Sequence, residues 1–438
     1  MTKYIINNWK SLKKPFQRLW AHFCNDSLFR NSIYLMISTA IVSSFGFLFW
    51  IIVARKYNTD QIGFATVLIS SATFVGALSM LGFDAILIRF LSKSNKKNST
   101  ISLSFLLTSI IGLIIALIYI IFAKTISPPI SKLIHGFYPS ALFIIVVLIF
   151  IINFLIESIL IAFRSAKYIL IKNSIYSIFK LLLPFLIIGL GTFGIFLSNG
   201  IAIIAAVFFG LYILVKKFKY RPASVLSIDN IKEMTRFGSI NYIAGLSSNF
   251  TNTMLPLIIL NNLGASQAAY FFMSYTIANL LNVVPSSVAQ SLLAEGSQNE
   301  SDWKNATLKS LSTILLILLP AIVILFFFGG LILQIFGKNY STEGIVFLRI
   351  LSVSSIFVSI NYIGDALLKL RKHNMLFLFM NTINTGGILI LSIIFVTHGL
   401  RGIGLAWLIS QTITTIIYFF IFLPNILKIK LTHLQWKI

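Results

Sequence analysis

Formal charges stand inside stretches of this chain that are otherwise soluble in lipid. Lys180 occupies the middle of an apolar run from Asn173 to Leu190, on a helical face with Asn173, Tyr176, Ser177 and Pro184. Glu157 lies in the inner half of the preceding run, Ser140–Phe163, with Asn153 and Arg164 along its stripe. Arg349 sits near one end of the run Ile345–Leu368, and Asp365 near the other. A charge at the centre of a membrane helix costs roughly 2.5–3.5 kcal/mol on insertion scales, so it is turned inward or paired. Lys180, and with it Arg349, is therefore expected to bind an anionic head group, and Glu157 to serve as an ion- or proton-coupling carboxylate. A Glu157–Lys180 salt bridge between neighbouring helices is the structural alternative. Arg349, Asp365, Asp84 and Arg89 all lie near enough to an interface for their side chains to snorkel to water.

Amides make the second chemical signal. Asn241, Ser248, Asn252 and Pro256 fall on one helical face, and Asn249, Thr251 and Thr253 widen it. Tyr275, Asn279, Asn282, Ser286 and Gln290 form a second such face, with Pro285 inside the helix. Both faces are expected to line a cavity, the alternative being hydrogen bonding between helices. The candidate substrate-binding set is Lys180, Asn249, Asn252, Asn279, Asn282 and Arg349. Enzyme constellations are missing from the sequence. The five His residues fall in loops or tails without metal-ligand spacing, and no glycine-rich phosphate loop is present. The outer connections are too short to hold substrates for chemistry. Neither catalysis nor a metal nor an organic cofactor is expected, only coupling to Na+ or H+.

These residues need a membrane scaffold to position them. Of 438 residues 57% are hydrophobic and 11% charged, which excludes soluble domains. A spanning helix takes roughly 20 apolar residues, because only a helix satisfies its own backbone in lipid. Twelve spans are predicted: Ser32–Ala54, Ile62–Phe83, Ile101–Ala123, Ser140–Phe163, Asn173–Leu190, Phe193–Val215, Ile240–Leu260, Ala268–Leu293, Leu308–Phe336, Ile345–Leu368, Met375–Val396 and Gly402–Pro424. The net charge of +24 and a pI near 10.1 would suggest nucleic acid in a soluble protein. Here most of the Lys and Arg falls in alternate connections, as the positive-inside bias demands, so no nucleic-acid partner is expected. Only Arg55, Lys56, Lys124, Lys132, Lys338 and Arg401 fall on the opposite side, and Lys180 and Arg349 remain within spans. Both termini are thus expected in the cytoplasm.

Residues 1–30 carry Trp9, Leu12, Phe16, Leu19, Trp20 and Phe23 at helical spacing among basic residues, a pattern suited to lying on the anionic inner leaflet. No cleavable signal peptide is visible, and the single Cys24 excludes an intramolecular disulfide. Internal repetition organises the rest. Gly191-Thr-Phe-Gly194-Ile195 matches Gly399-Leu-Arg-Gly402-Ile403; Arg164-x-x-Lys167 corresponds to Lys369-x-Arg371-Lys372, and Asn58-Thr-Asp-Gln61 to Gly264-Ala-Ser-Gln267. Six spans per half make the repeat parallel. The expected architecture is an all-α polytopic membrane protein: bundles 31–215 and 237–424, a cytoplasmic linker 216–236 and a cytoplasmic tail 425–438.

The wording of several segments resembles the polysaccharide biosynthesis/O-antigen flippase family of the multidrug/oligosaccharidyl-lipid/polysaccharide flippase superfamily. The resemblance is carried by Ile51-Ile-Val-Ala-Arg55-Lys-Tyr-Asn-Thr-Asp-Gln-Ile-Gly63, Met80-Leu-Gly-Phe-Asp84 and Ile88-Arg-Phe-Leu91. Later segments continue it: Gly264-Ala-Ser-Gln-Ala-Ala-Tyr270, Ile335-Phe-Gly-Lys-Asn-Tyr340 and Gly399-Leu-Arg-Gly-Ile-Gly-Leu-Ala406. It implies a MATE-like, V-shaped pair of six-helix bundles working by alternating access in the cytoplasmic (inner) membrane, as a monomer. The implied cargo is an undecaprenyl-pyrophosphate-linked oligosaccharide, an O-antigen or other surface-polysaccharide repeat unit, with basic cavity residues such as Lys180 on the pyrophosphate. Implied partners are membrane lipids and the polysaccharide polymerase and chain-length machinery. Two other readings stay open: a cation-coupled multidrug or small-solute exporter, and a membrane glycan polymerase or ligase.

Overall fold

The computed structural model describes residues 27–223, 231–296 and 303–426; side chains are outside the description at 27–29, most of 231–249, 294, 295, 303, 304 and 423–426. The aromatic stripe Trp9–Phe23, Cys24, residues 224–230 of the linker and the tail from 427 on thus lie outside the described residues, as do the side chains of Asn241, Ser248 and Asn249.

Regular structure among the described residues is helical. Helices α1 (Ser27–Lys56), α2 (Thr59–Ser79), α3 (Phe83–Phe90), α4 (Lys97–Ile126), α5 (Pro128–Ile134), α6 (Phe137–Ala162), α7 (Ala166–Leu186) and α8 (Gly191–Lys216) precede the linker. After it come α9 (Ile231–Leu263), α10 (Ala265–Asn279), α11 (Val283–Gly296), α12 (Trp303–Gln334), α13 (Lys338–Leu370), α14 (Asn374–Phe395) and α15 (Gly399–Ile426). Among the described residues nine helical segments are long and apolar enough to cross a membrane, the last of them, Asn374–Phe422, running through both α14 and α15. The protein is a multi-pass membrane protein.

The expected seventh and eighth spans are not among those segments, so the count of twelve rests on the sequence for that pair. For the eighth the reason is local. Pro285 has no N–H to give the Leu281 carbonyl and its ring crowds that turn. The chain answers with a tighter 3-10 turn at Leu280–Asn282, which divides the span into α10 and α11. The expected second span is also divided. Leu81 (φ 44) and Gly82 (φ 81) turn the chain left-handed, so Asp84 and Arg89 ride on the separate α3 rather than on the end of α2.

Contacts group the chain into two compact units. One holds the described residues up to Phe49, Val75–Ile121 and Ile134–Tyr242; the other holds Trp50–Phe74, Phe122–Leu133 and the described residues from Ile243 on. In the first, α6 buries Val147, Ile151, Leu155 and Ile159, one residue per helical turn, and α8 packs on α6 with Ile195, Ala202 and Ala206 also buried. Gly210 lets α8 approach closely, since a Cβ there would sit 2.7 Å from Ile156. In the second unit α13 is central, packed by α10, α11, α12 and α15. Phe271 and Phe347 meet there at 5.2 Å between ring centroids.

The sequence repeat has a backbone counterpart. Helix α6 ends with Ser165 N–H donating to the Leu160 carbonyl (2.9 Å) across a left-handed Arg164 (φ 50). Helix α13 ends identically, His373 N–H to the Leu368 carbonyl (2.9 Å) across Lys372 (φ 60). A 3-10 turn followed by a positive-φ glycine then opens α8 at Gly191 and α15 at Gly399.

Candidate functional site

Two polar centres stand within the spans, one in each unit. In the first unit, the α6–α7 hairpin brings Lys172 opposite Glu157. The Lys172 Nζ donates to Asn153 Oδ1 at 2.7 Å and to Glu157 Oε2 at 3.2 Å. The Lys172 side chain is 0% exposed and that of Glu157 34%, so the lysine depends on this carboxylate while the carboxylate still reaches open space. The alternative of a Glu157–Lys180 pair gives way to Glu157–Lys172, for a geometric reason. Glu157 and Lys172 are seven and eight residues from Arg164 at the turn, hence at one depth. Lys180 lies eight residues further along, about 12 Å at 1.5 Å per residue. Lys172, one residue before the expected fifth span Asn173–Leu190, is a buried helix residue.

Lys180 has a different environment. Its Nζ donates to Tyr176 Oη at 3.0 Å, and the Tyr176 hydroxyl in turn donates to Asn199 Oδ1 at 2.7 Å. The ammonium also lies 4.8 Å from the Phe49 ring centroid and 5.2 Å from that of Tyr176. No carboxylate partners it among the described residues. Aromatic faces lower the cost of desolvating a cation without neutralising it, which leaves a half-buried positive charge with donors to offer an anion.

The second unit contains a cavity of about 550 Å³, within the range of roughly 300–1,000 Å³ usual for small-molecule sites. The predicted Asn252, Asn279 and Asn282 all line it, as do Tyr275 and Gln290. Tyr275 Oη donates to Asn252 Oδ1, and Asn282 Nδ2 to Asn279 Oδ1 at 3.0 Å. The Pro285 break holds the pair Asn279 and Asn282 together at the 3-10 turn. Asn282 Oδ1 is buried without a hydrogen-bond partner among the described residues. Arg349 is not part of this wall. Its Nε donates to the Phe326 carbonyl at 2.9 Å and its guanidinium lies 5.3 Å from the Phe326 ring, on the α12 side of α13.

Sequence reasoning missed half of the cavity. Helix α13 presents Asn361, Asp365 and Lys369 at steps of four, and α14 and α15 add Asn381, Asn384, Trp407 and Gln411. Asp365 does not snorkel to an interface. Its Oδ1 accepts from Asn381 Nδ2 at 3.0 Å and from Tyr418 Oη. Asn361 Nδ2 donates to Gln411 Oε1 at 2.6 Å and Asn361 Oδ1 accepts from Thr415 at 2.9 Å. The available signal was hairpin depth again: Asp365 and Asn381 are seven and nine residues from Lys372 at the turn.

The described fold is similar to that of a multidrug resistance MATE family transporter of the MOP superfamily in an inward-facing conformation, with a TM-score of 0.73 at 18% identity over 91% of this chain and 98% of the other. It is similar too to the lipid II flippase MurJ, with a TM-score of 0.73 at 16% identity over 89% of this chain and 87% of MurJ. At such identities the likeness is one of fold, and it defines the class: a helical membrane protein with the MOP-superfamily fold. An uncharacterized membrane protein of Methanocaldococcus jannaschii is 27% identical over 92% of this chain and 99% of its own length. Residues 28–293, more than half of the chain, match the model of the family described as polysaccharide biosynthesis protein. The chain belongs to that family.

Proposed function

We propose that the protein moves an undecaprenyl-pyrophosphate-linked oligosaccharide across the cytoplasmic membrane by alternating access of two six-helix bundles, without chemistry on the cargo. The observation that carries this reading is Lys180, a mid-span ammonium whose partners are a tyrosine hydroxyl and two aromatic rings. A pyrophosphate is the complementary charge, and it gains most where water is scarce. Family membership supports a glycan-lipid cargo. Coupling to an ion gradient at Glu157 belongs to the proposal in a narrower form: the carboxylate has Lys172 as resident counter-ion, so an entering proton or Na+ competes with that lysine.

Replacing Lys180 with Ala is expected to lower surface-glycan export by roughly tenfold or more, with Lys180→Arg retaining part of it, while membrane abundance is unchanged. Wild-type export in Lys180→Ala would overturn the reading, as would glycosyl transfer by the purified protein. One observation favours a second reading: the cavity wall holds a carboxylate, Asp365, together with the rings of Tyr275 and Trp407, a set that suits a hydrophobic cation. A drug-resistance phenotype that depends on Asp365 would select it.

A further inference from the structure

The cavity of the second unit has a composition that a phosphate does not need. Eight of its lining side chains are Asn or Gln, and its charged residues are Asp365 and Lys369. Each amide offers both donors and an acceptor in a fixed plane. Such a surface complements a ligand dense in hydroxyls, which likewise donate and accept at every position. The amides themselves do little for an apolar cation or a bare anion. Several of the amides are oriented in advance: Asn361 by Gln411 and Thr415, Asn279 by Asn282. Asn282 lines the same wall beside Asn279, and its Oδ1 has no hydrogen-bond partner among the described residues. The indole of Trp407 and the ring of Tyr275, 5.5 Å apart between centroids, add the aromatic surface on which sugar C–H faces pack.

Asp365 adds selectivity. Both of its hydrogen bonds, from Asn381 and Tyr418, arrive at Oδ1. Oδ2 has no hydrogen-bond partner among the described residues, so it is open to accept from a ligand hydroxyl. A second carboxylate entering the same low-dielectric pocket would meet like charge. Lys369, whose Nζ lies 4.2 Å from the Phe377 ring, is exposed and drawn to that ring rather than paired with Asp365 at contact distance.

We propose that the amide-lined cavity of the second unit binds the sugars of the cargo and that Asp365 makes it select uncharged over acidic saccharides. The inference rests on the reading of the cargo as a glycan, and assigns specificity to residues distinct from Lys180. The test uses the full chain purified in detergent, with thermal stabilisation read against lipid-free probes: maltotetraose and chitotetraose as uncharged saccharides, trigalacturonate as an acidic one, and tetraphenylphosphonium as a hydrophobic cation. At least one uncharged probe is expected to raise the melting temperature saturably, with trigalacturonate weaker by roughly tenfold. Asn282→Leu should abolish the uncharged response. Asp365→Asn should admit trigalacturonate, a gain that a misfolded variant cannot produce. The proposal fails if neither uncharged probe stabilises the wild type, if trigalacturonate matches them, or if Asp365→Asn leaves the ranking unchanged. Tetraphenylphosphonium stabilisation lost in Asp365→Asn also overturns it, in favour of a cation site. Wild-type glycan export in Lys180→Ala with saccharide binding intact would remove the pyrophosphate reading alone. Lost export in Lys180→Ala with no saccharide binding would remove this inference alone.

Discussion

Lys172 is enclosed by protein on every side, and its charge is held by one carboxylate and one amide oxygen. Breaking a buried pair by removing one partner costs about 3–5 kcal/mol, because the remaining charge is left without solvent or counter-ion. Replacing both partners is far less harmful. Glu157→Ala should therefore depress the melting temperature of the purified protein strongly, and Glu157→Ala combined with Lys172→Met should recover most of that loss. Equal melting temperatures for the single and double variants would show that Lys172 does not depend on Glu157. Residue identity alone did not reveal this pair. Lys172 reads as one more basic residue at a span's edge, and only the turn at Arg164 puts it level with Glu157. Asp365 was misread in the same way, since its inward orientation depends on Asn381 and Tyr418 on two other helices.

Helices here are positioned by a few glycines and prolines whose effects are local and therefore testable one at a time. Gly63 opens the second turn of α2 with its backbone against Ala265, and a methyl placed there would collide with the Ala265 carbonyl. The segments are the two turns matched by the repeat, and Ser266 ties them further by donating to Asp60 Oδ1 at 2.5 Å. Overpacking of this kind costs about 1–3 kcal/mol, more when the obstacle is backbone. Gly46, by contrast, has nothing within 4 Å of an added Cβ. Gly63→Ala should lower the melting temperature by several degrees, while Gly46→Ala should leave it level or raise it, since Ala exceeds Gly in helix preference by up to about 1 kcal/mol. The reverse order would mean that the α2–α10 approach is not as close as described. At this scale part was legible: the Gly191 and Gly399 segments announce matching helix starts, whereas Pro285, read as lying inside one helix, sits just past the break between α10 and α11. The Leu81–Gly82 reversal was not, because an apolar run continues unbroken across it.

Across the whole chain the apolar blocks and the basic connections alternate, and this sets a testable orientation. Cys24 is the one cysteine, so a membrane-impermeant maleimide should label intact cells poorly and permeabilised cells fully. In Cys24→Ser with His135→Cys, placed in the exposed turn between α5 and α6, labelling should occur without permeabilisation. Identical labelling of both proteins in intact cells would refute the positive-inside assignment. Span length, the repeat and the family were all readable from the linear chain, because lipid imposes a one-dimensional rule: every buried backbone group is satisfied within its own helix, so each span is written as a contiguous apolar word. Lys180 was legible for the same reason, a charge inside such a word. What side chains meet is a different kind of information. The Glu157–Lys172 pair, the removal of Arg349 to the Phe326 carbonyl, and the assembly of Asn252 and Asn279 with Asn361, Asp365, Asn381 and Gln411 all depend on helix rotation and depth. Those are decided by packing between distant segments, and only the tertiary structure contains them.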